Sequence, residues 1–182
     1  MADRLVMIIR HAEKPVPEQP ERDVDELGQA DEKSLTVRGW QRAGALAHLF
    51  VDPPPPLQVP VAIVASAPIK KDGSGTRSLR PTQTVAPLAR RLQFVPDTTF
   101  SKGQEEQAGR AIILQNLSPV LVCWQHEAIP RLSAAIVASA AIAPTVWDDA
   151  DYDSIWLLTF SEADLRWAFQ SENQHLLAGG RP

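Results

Sequence analysis

The sequence holds a single cysteine, Cys123, so no internal disulfide can form. That residue stands in the apolar run Val120-Leu121-Val122-Cys123-Trp124, where a buried structural thiol in a reducing compartment is expected. Basic clusters are equally scarce: none is longer than Lys70-Lys71, and the formal net charge is −4. Such a balance offers no electrostatic footprint for nucleic acid or an anionic membrane surface, so neither partner is expected. Long hydrophobic runs are also missing. Leu5 to Ile9 is the one short apolar run near the N-terminus, far below the ~18 residues that span a bilayer, and no small-residue cleavage site follows it. The expectation is a cytoplasmic, soluble protein. Gly73-Ser-Gly75-Thr-Arg77 is not followed by Gly-Lys-Ser/Thr, so it is read as a plain loop and not as a Walker-type nucleotide site. Neither His48 nor His175 has a second ligand at metal spacing, and both are taken as structural or solvated.

What remains is an ordinary globular composition. The chain has 182 residues, 44% of them hydrophobic and 22% charged. That length suits one well-buried core, and a single domain over 1–182 is expected. Five tryptophans are scattered without repeat, which core or edge packing explains more economically than a binding stripe.

Along the chain, Arg4 to Ile9 has the continuous apolar pattern of a strand covered on both faces. Residues 13–33 hold eight carboxylates against three basic side chains, and the stretch from Lys14 to Lys33 is expected to be a long surface loop, open to a role as an anion-repelling lid. Ser34 or Thr36 can cap a helix to about Phe50, with Trp40, Ala43, Ala47 and Phe50 on its inner face. The run Pro53-Pro54-Pro55-Pro56 ends it. A second strand is expected over Val61–Ala65, then a polar loop to Arg77 and a helix over Pro81–Leu92. Further elements are a helix over Gln104–Leu114, a buried strand over Val120–Trp124, a helix over Ala128–Ala140 and an edge hairpin from Ile155 to Phe169. This order predicts an α/β domain, a three-layer α/β/α sandwich around a largely parallel mixed sheet.

Three strand ends carry the chemistry-bearing side chains: Arg10-His11, the Ser66 to Arg80 loop, and Gln125-His126-Glu127. Ligands of open α/β sheets sit outside the carboxyl ends of the strands, so the three segments are expected to share one pocket.

These residues resemble the histidine phosphatase, or phosphoglycerate-mutase-like, superfamily over most of the chain. Its Arg-His-Gly signature is matched by Arg10-His11-Ala12, and its Leu-Thr-x-x-Gly-x-x-Gln-Ala helix opening by Leu35-Thr36-Val37-Arg38-Gly39-Trp40-Gln41-Arg42-Ala43. Its Ser, then Arg-x-x-Gln-Thr-Ala-x-x-Leu-Ala, is similar to Ser66 and then Arg80-Pro81-Thr82-Gln83-Thr84-Val85-Ala86-Pro87-Leu88-Ala89, and its late histidine to His126. The resemblance implies His11 as the nucleophile, with Arg10, Arg80 and His126 holding phosphate and no metal or other cofactor. It also implies a glutamate some way beyond the second arginine as proton donor. Glu105 is 25 residues after Arg80, with Glu106, Glu127 and Glu13 as rivals.

The physical chemistry of the residue types agrees with that assignment. Guanidinium groups hold phosphoryl oxygens bidentately, and their charge disfavours protonation of His11, leaving a nitrogen lone pair to attack phosphorus. His126 is expected to be cationic when phosphate binds. This sequence departs from the family pattern in three places. Ala12 replaces a glycine, the Ser66 to Arg80 segment is long enough for Arg77 to compete with Arg80, and Glu13-Lys14-Pro15 lacks the downstream asparagine of the sugar-phosphate mutases. The expected activity is hydrolysis of a phosphomonoester or phosphoramidate, on a small molecule or a phosphoprotein. A phosphoglycerate-type mutase and a non-catalytic phospho-ligand binding domain are the alternatives.

Overall fold

Strand β1 (Arg4–Arg10) is the middle of the sheet because every residue from Leu5 onward is apolar enough, or well enough paired, to be buried on both faces. The computed structural model describes residues 3–16, 21–70 and 72–178. Along these residues β1 is followed by two short strands, β2 (Asp23–Val24) and β3 (Leu35–Thr36), and helix α1 (Val37–Leu49). Strand β4 (Ala62–Ala65), helices α2 (Arg80–Leu92) and α3 (Glu105–Leu114), and strand β5 (Val120–Trp124) come next. A single 3-10 turn (His126–Ala128) leads into helix α4 (Ile129–Val137), and strands β6 (Ser154–Ser161) and β7 (Arg166–Asn173) close the order.

The five-stranded sheet runs β4-β5-β1-β6-β7. The β4–β5 and β5–β1 pairs are parallel, with Val6 opposite Val120 and Ala62 also opposite Val120, whereas β6 and β7 join antiparallel. Alternate residues of each strand face opposite layers. On one side Leu5, Met7, Ile9, Leu121 and Cys123 pack against Leu46, Ala47, Val85, Leu88 and Ala89 of α1 and α2 and against Phe50, which caps the C-terminus of α1. On the other side Val6, Ile8, Val122 and Trp124 meet Ala108 and Ile112 of α3 and Ile129, Leu132 and Ile136 of α4. The result is the three-layer α/β/α arrangement expected from the element order.

Thr36 caps α1, its hydroxyl oxygen accepting from the Gly39 amide at 3.0 Å, a contact of the kind that contributes about 1 kcal/mol. Three expectations need adjustment. The acidic stretch is not featureless: β2 pairs antiparallel with β3, and the intervening turn is built on Asp25, whose Oδ1 accepts from the amides of Leu27 and Gln29. Of its carboxylates, Glu18 lies outside the described residues. The helix expected to reach Ala140 stops at Val137, where Ala138 takes a left-handed conformation with φ 54°. Finally, of the two hairpin strands β7 alone lies at a sheet edge, because β6 pairs with central β1. No helix among the described residues is long and apolar enough to cross a membrane.

Candidate active site

The parallel register brings the carboxyl ends of β4, β5 and β1 together. Arg10 is level with Trp124, the His11 amide donates to Trp124 O at 3.0 Å, and the Ser66 amide donates to Cys123 O at 3.1 Å. His11, Ser66 and His126 therefore leave three neighbouring strands at the same end of the sheet. Behind them the Ala12 amide donates to Thr84 Oγ1 (2.8 Å), and that hydroxyl donates to Arg80 O (2.7 Å). One threonine thus ties the turn after β1 to the first turn of α2. Ala12 takes no positive φ, so the missing glycine removes nothing the backbone needs.

His11 is buried, and its Nδ1 lies 2.8 Å from Ala12 O. A carbonyl can only accept, so Nδ1 carries the proton and Nε2 holds the lone pair. Burial, then the Arg10 charge, lowers the pKa from 6.5 to about 3 against the pull of the Ala12 hydrogen bond, with Arg80 and His126 adding to the lowering. The ring is neutral at neutral pH.

Arg10 has no exposed side-chain surface. Its Nη1 donates to Asp149 O (2.6 Å) and Asp151 O (3.1 Å), its guanidinium carbon lies 3.7 Å from the centre of the Tyr152 ring, and Nη2 is 3.3 Å from His126 Nδ1. His126 Nε2 is 3.0 Å from Asp149 Oδ1, and Nδ1 is also 3.1 Å from Glu127 Oε2. The neutral ring with its proton on Nε2 satisfies Arg10 and Asp149 together, and protonation of Nδ1 would turn that nitrogen toward Glu127. Burial and Arg10 pull the His126 pKa below its ordinary value, opposed by Glu127 and Asp149. A bound dianion would act in the same direction as those two carboxylates.

Arg80 opens α2, and part of its guanidinium is engaged by the acidic stretch: Nε donates to Ser34 O (2.7 Å), and Nη2 donates to Glu32 O (2.7 Å) and to Asp23 Oδ2 (3.2 Å). Its charge still reaches His11. Arg77 lies in the preceding loop, its amide bonded to Pro68 O at 2.8 Å.

The four glutamates separate clearly. Glu105, the first residue of α3, is 3% exposed, and its Oε1 accepts from the Gly103 amide (2.7 Å) and from Trp124 Nε1 (3.1 Å). Glu106 faces outward and pairs with Arg131 at 2.7 Å. Glu13 is held by Arg42 Nε (2.9 Å), with Arg38 at 3.5 Å. Glu127 receives Lys102 Nζ as well as His126, and against the upward pull of burial the hydrogen bond from Lys102 keeps its pKa below the usual carboxylate value.

Sequence reasoning missed the loop from Trp147 to Asp153, which supplies Asp149, Asp151 and Tyr152 to the site, and it missed Lys14, whose Nζ lies 3.2 Å from Asp149 Oδ1. The signal was the aspartate-rich run itself. Residues that enter a strand antiparallel to β1 must start at the end of β1 where His11 lies, and treating β6 as peripheral hid that consequence.

No protein-family model matches the chain, and no curated protein matches its sequence. Solved structures do match its fold. A protein histidine phosphatase, SixA, complexed with tungstate, aligns with TM-score 0.52 at 15% identity, over 93% of this chain and 97% of its own. Mycobacterial glucosyl-3-phosphoglycerate phosphatase Rv2419c, in complexes with VO3, aligns with TM-score 0.52 at 14% identity over 93% and 97%. An α-ribazole-5'-P phosphatase assigned in Escherichia coli K-12 MG1655 gives TM-score 0.53 at 11% identity over 93% and 96%. Over 93% of its length the chain shares the α/β fold of these three solved structures.

Proposed function

We propose that the protein is a phosphatase that hydrolyses a phosphomonoester or phosphoramidate through a covalent phosphohistidine on His11. The observation that carries this reading is the state of His11: buried, neutral, its proton fixed on Nδ1 by Ala12 O, and flanked by Arg10 and His126. That combination leaves Nε2 as a nucleophile beside groups suited to an oxyanion. The fold it shares with phosphatases crystallised with tungstate and VO3 supports the same reading.

In the proposed cycle Nε2 attacks phosphorus in line, the bond from phosphorus to the leaving oxygen or nitrogen breaks, and Glu105 gives that atom its proton. The Glu105 carboxylate then takes a proton from water as the water oxygen bonds to phosphorus. The phosphorus–nitrogen bond breaks, His11 returns to its neutral form, and inorganic phosphate leaves. Arg10, Arg80 and His126 balance the charge on the transferring oxygens. The partially engaged Arg80 offers a fixed direction of approach, because Ser34 O and Glu32 O already orient its plane.

Incubation with p-nitrophenyl phosphate is expected to release nitrophenol and to leave an acid-labile, alkali-stable phosphoryl label on His11 after rapid quenching. His11→Ala should abolish both signals, and an unchanged rate in that variant would end the proposal. Glu105→Gln should lower kcat/KM for phenyl phosphate roughly 10²-fold or more, and less for p-nitrophenyl phosphate, whose leaving group needs less protonation. A larger loss in Glu127→Gln than in Glu105→Gln would move the acid role to Glu127.

A further inference from the structure

We infer that the Asp149 carboxylate occupies the oxyanion position of this site, so that substrate must displace it, and that Lys14 is a further ligand for the oxyanion that replaces it. The inference rests on the phosphatase reading above and deepens it. A single oxygen, Asp149 Oδ1, lies 3.0 Å from His126 Nε2, 3.2 Å from Lys14 Nζ and 3.7 Å from Arg10 Nη2. Three nitrogen donors from two stretches of chain, the exit of β1 and the turn after β5, thus converge on one anionic oxygen. Two of them belong to residues that the motifs assign to phosphate. The third, Lys14, lies three residues beyond the nucleophile.

Such a cluster of donors can serve only one anion at a time, since a phosphoryl group beside an ionised carboxylate would suffer direct like-charge repulsion. Lys14 holds Asp149 in its ionised form: although burial pulls its pKa up, the hydrogen bond and charge of Lys14, with Arg10 beyond, bring it below the ordinary value. The carboxylate is therefore a true competitor.

The loop is built so that this competitor can leave without disturbing the rest of the site. On one flank Trp147 is 4% exposed, stacks on Trp156 at 4.8 Å and donates from Nε1 to Asp151 O. On the other, the Asp151 carboxylate accepts from the amides of Asp153 and Ser154 and from the Ser154 hydroxyl. Between these anchors the Asp149 side chain is 65% exposed, while its carbonyl remains fixed by Arg10 Nη1. Rotation of the side chain alone vacates the donors, and the backbone contact that orients Arg10 survives. Lys14, 31% exposed on its side chain, then points its freed ammonium at the same position. A population held by Asp149 lowers the apparent affinity of every anion by the fraction of molecules that are open, so removing the carboxylate should tighten anion binding.

Isothermal titration calorimetry with tungstate tests the inference without relying on turnover. Asp149→Ala and Asp149→Asn should each bind tungstate roughly tenfold more tightly than wild type, the factor that ~1.4 kcal/mol represents. Adding Lys14→Gln to Asp149→Ala should return several-fold of that gain. Equal or weaker binding in both Asp149 variants, with wild type still binding, would overturn the competitor role and leave the phosphatase reading intact. Tightening that ignores Lys14 would remove Lys14 as a ligand. Absence of tungstate binding in wild type and in every variant, with folding verified by circular dichroism, would overturn the phosphatase reading together with this one.

Discussion

Replacing Arg42 by alanine should damage the protein more than any other single charge deletion. Its guanidinium is 2% exposed, with Nε 2.9 Å from Glu13 Oε1 and Nη1 3.3 Å from Asp153 Oδ1 and 2.9 Å from Gln174 Oε1. Asp153 has a 3% exposed side chain and Glu13 a 10% exposed one, so solvent cannot take over as partner. The second Glu13 oxygen is already buried without a hydrogen bond. Removing one member of a buried ionic group leaves uncompensated charge and costs about 3–5 kcal/mol. At about 2–4 °C per kcal/mol for a chain of this size, Tm should fall by on the order of 10 °C. Urea titration and scanning calorimetry measure both quantities. Glu13 follows His11 by two residues, and Asp153 ends the loop that carries Asp149, so kcat should fall too. The neutral triple variant Arg42→Met, Glu13→Gln, Asp153→Asn should recover part of the lost stability, because it leaves no buried unpaired charge. A loss below ~1 kcal/mol for Arg42→Ala would refute the claim that these carboxylates depend on it.

Acid should weaken the fold through His11. Its folded pKa, about 3, lies below the ordinary 6.5, so the unfolded chain binds the proton first; stability is retained above about pH 6.5 and lost as pH falls from there toward 3. His11→Asn should flatten that part of the stability curve measured by urea titration. Arg80→Ala should raise KM and also loosen the β2–β3 segment, seen as faster tryptic cleavage at exposed Arg22 and Lys33. Two glycines should respond differently. A Cβ at Gly39 would lie 2.7 Å from Glu13 O, so Gly39→Ala should lower both Tm and kcat. A Cβ at Gly109 would lie 2.7 Å from Ala135 Cβ at the α3–α4 contact, and Gly109→Ala should lower Tm with a smaller effect on kcat.

The sheet and helices were legible because their signals are local. Continuous apolar runs marked β1, β4 and β5, the cap at Thr36 marked α1, and proline near Pro53 marked its end. Placement of His11 and His126 at neighbouring strand ends followed from the parallel order of those strands. Three features were not legible, each for a physical reason. The engagement of Arg80 by carbonyls of Glu32 and Ser34 uses backbone acceptors that every residue possesses, so no side-chain pattern announces it. The contribution of Asp149 depends on β6 lying beside β1, a pairing between residues about 150 apart that periodicity cannot reveal. The Arg42 network joins residues from the β1 exit, α1, the loop before β6 and the tail after β7, and its members are individually ordinary charged or polar residues.

The place of β1 at the centre of the sheet also governs when the protein can begin to work. Its two neighbours, β5 and β6, are made long after it, and the loop that orients Arg10 precedes β6 directly. On the ribosome, where residues are added at about 5–20 per second, the first strand must wait with one hydrogen-bonding edge unpaired until Ser161 has emerged. A nascent chain shorter than that holds His11 without its full setting, so the arrangement proposed for phosphoryl transfer is complete only once β6 has been made.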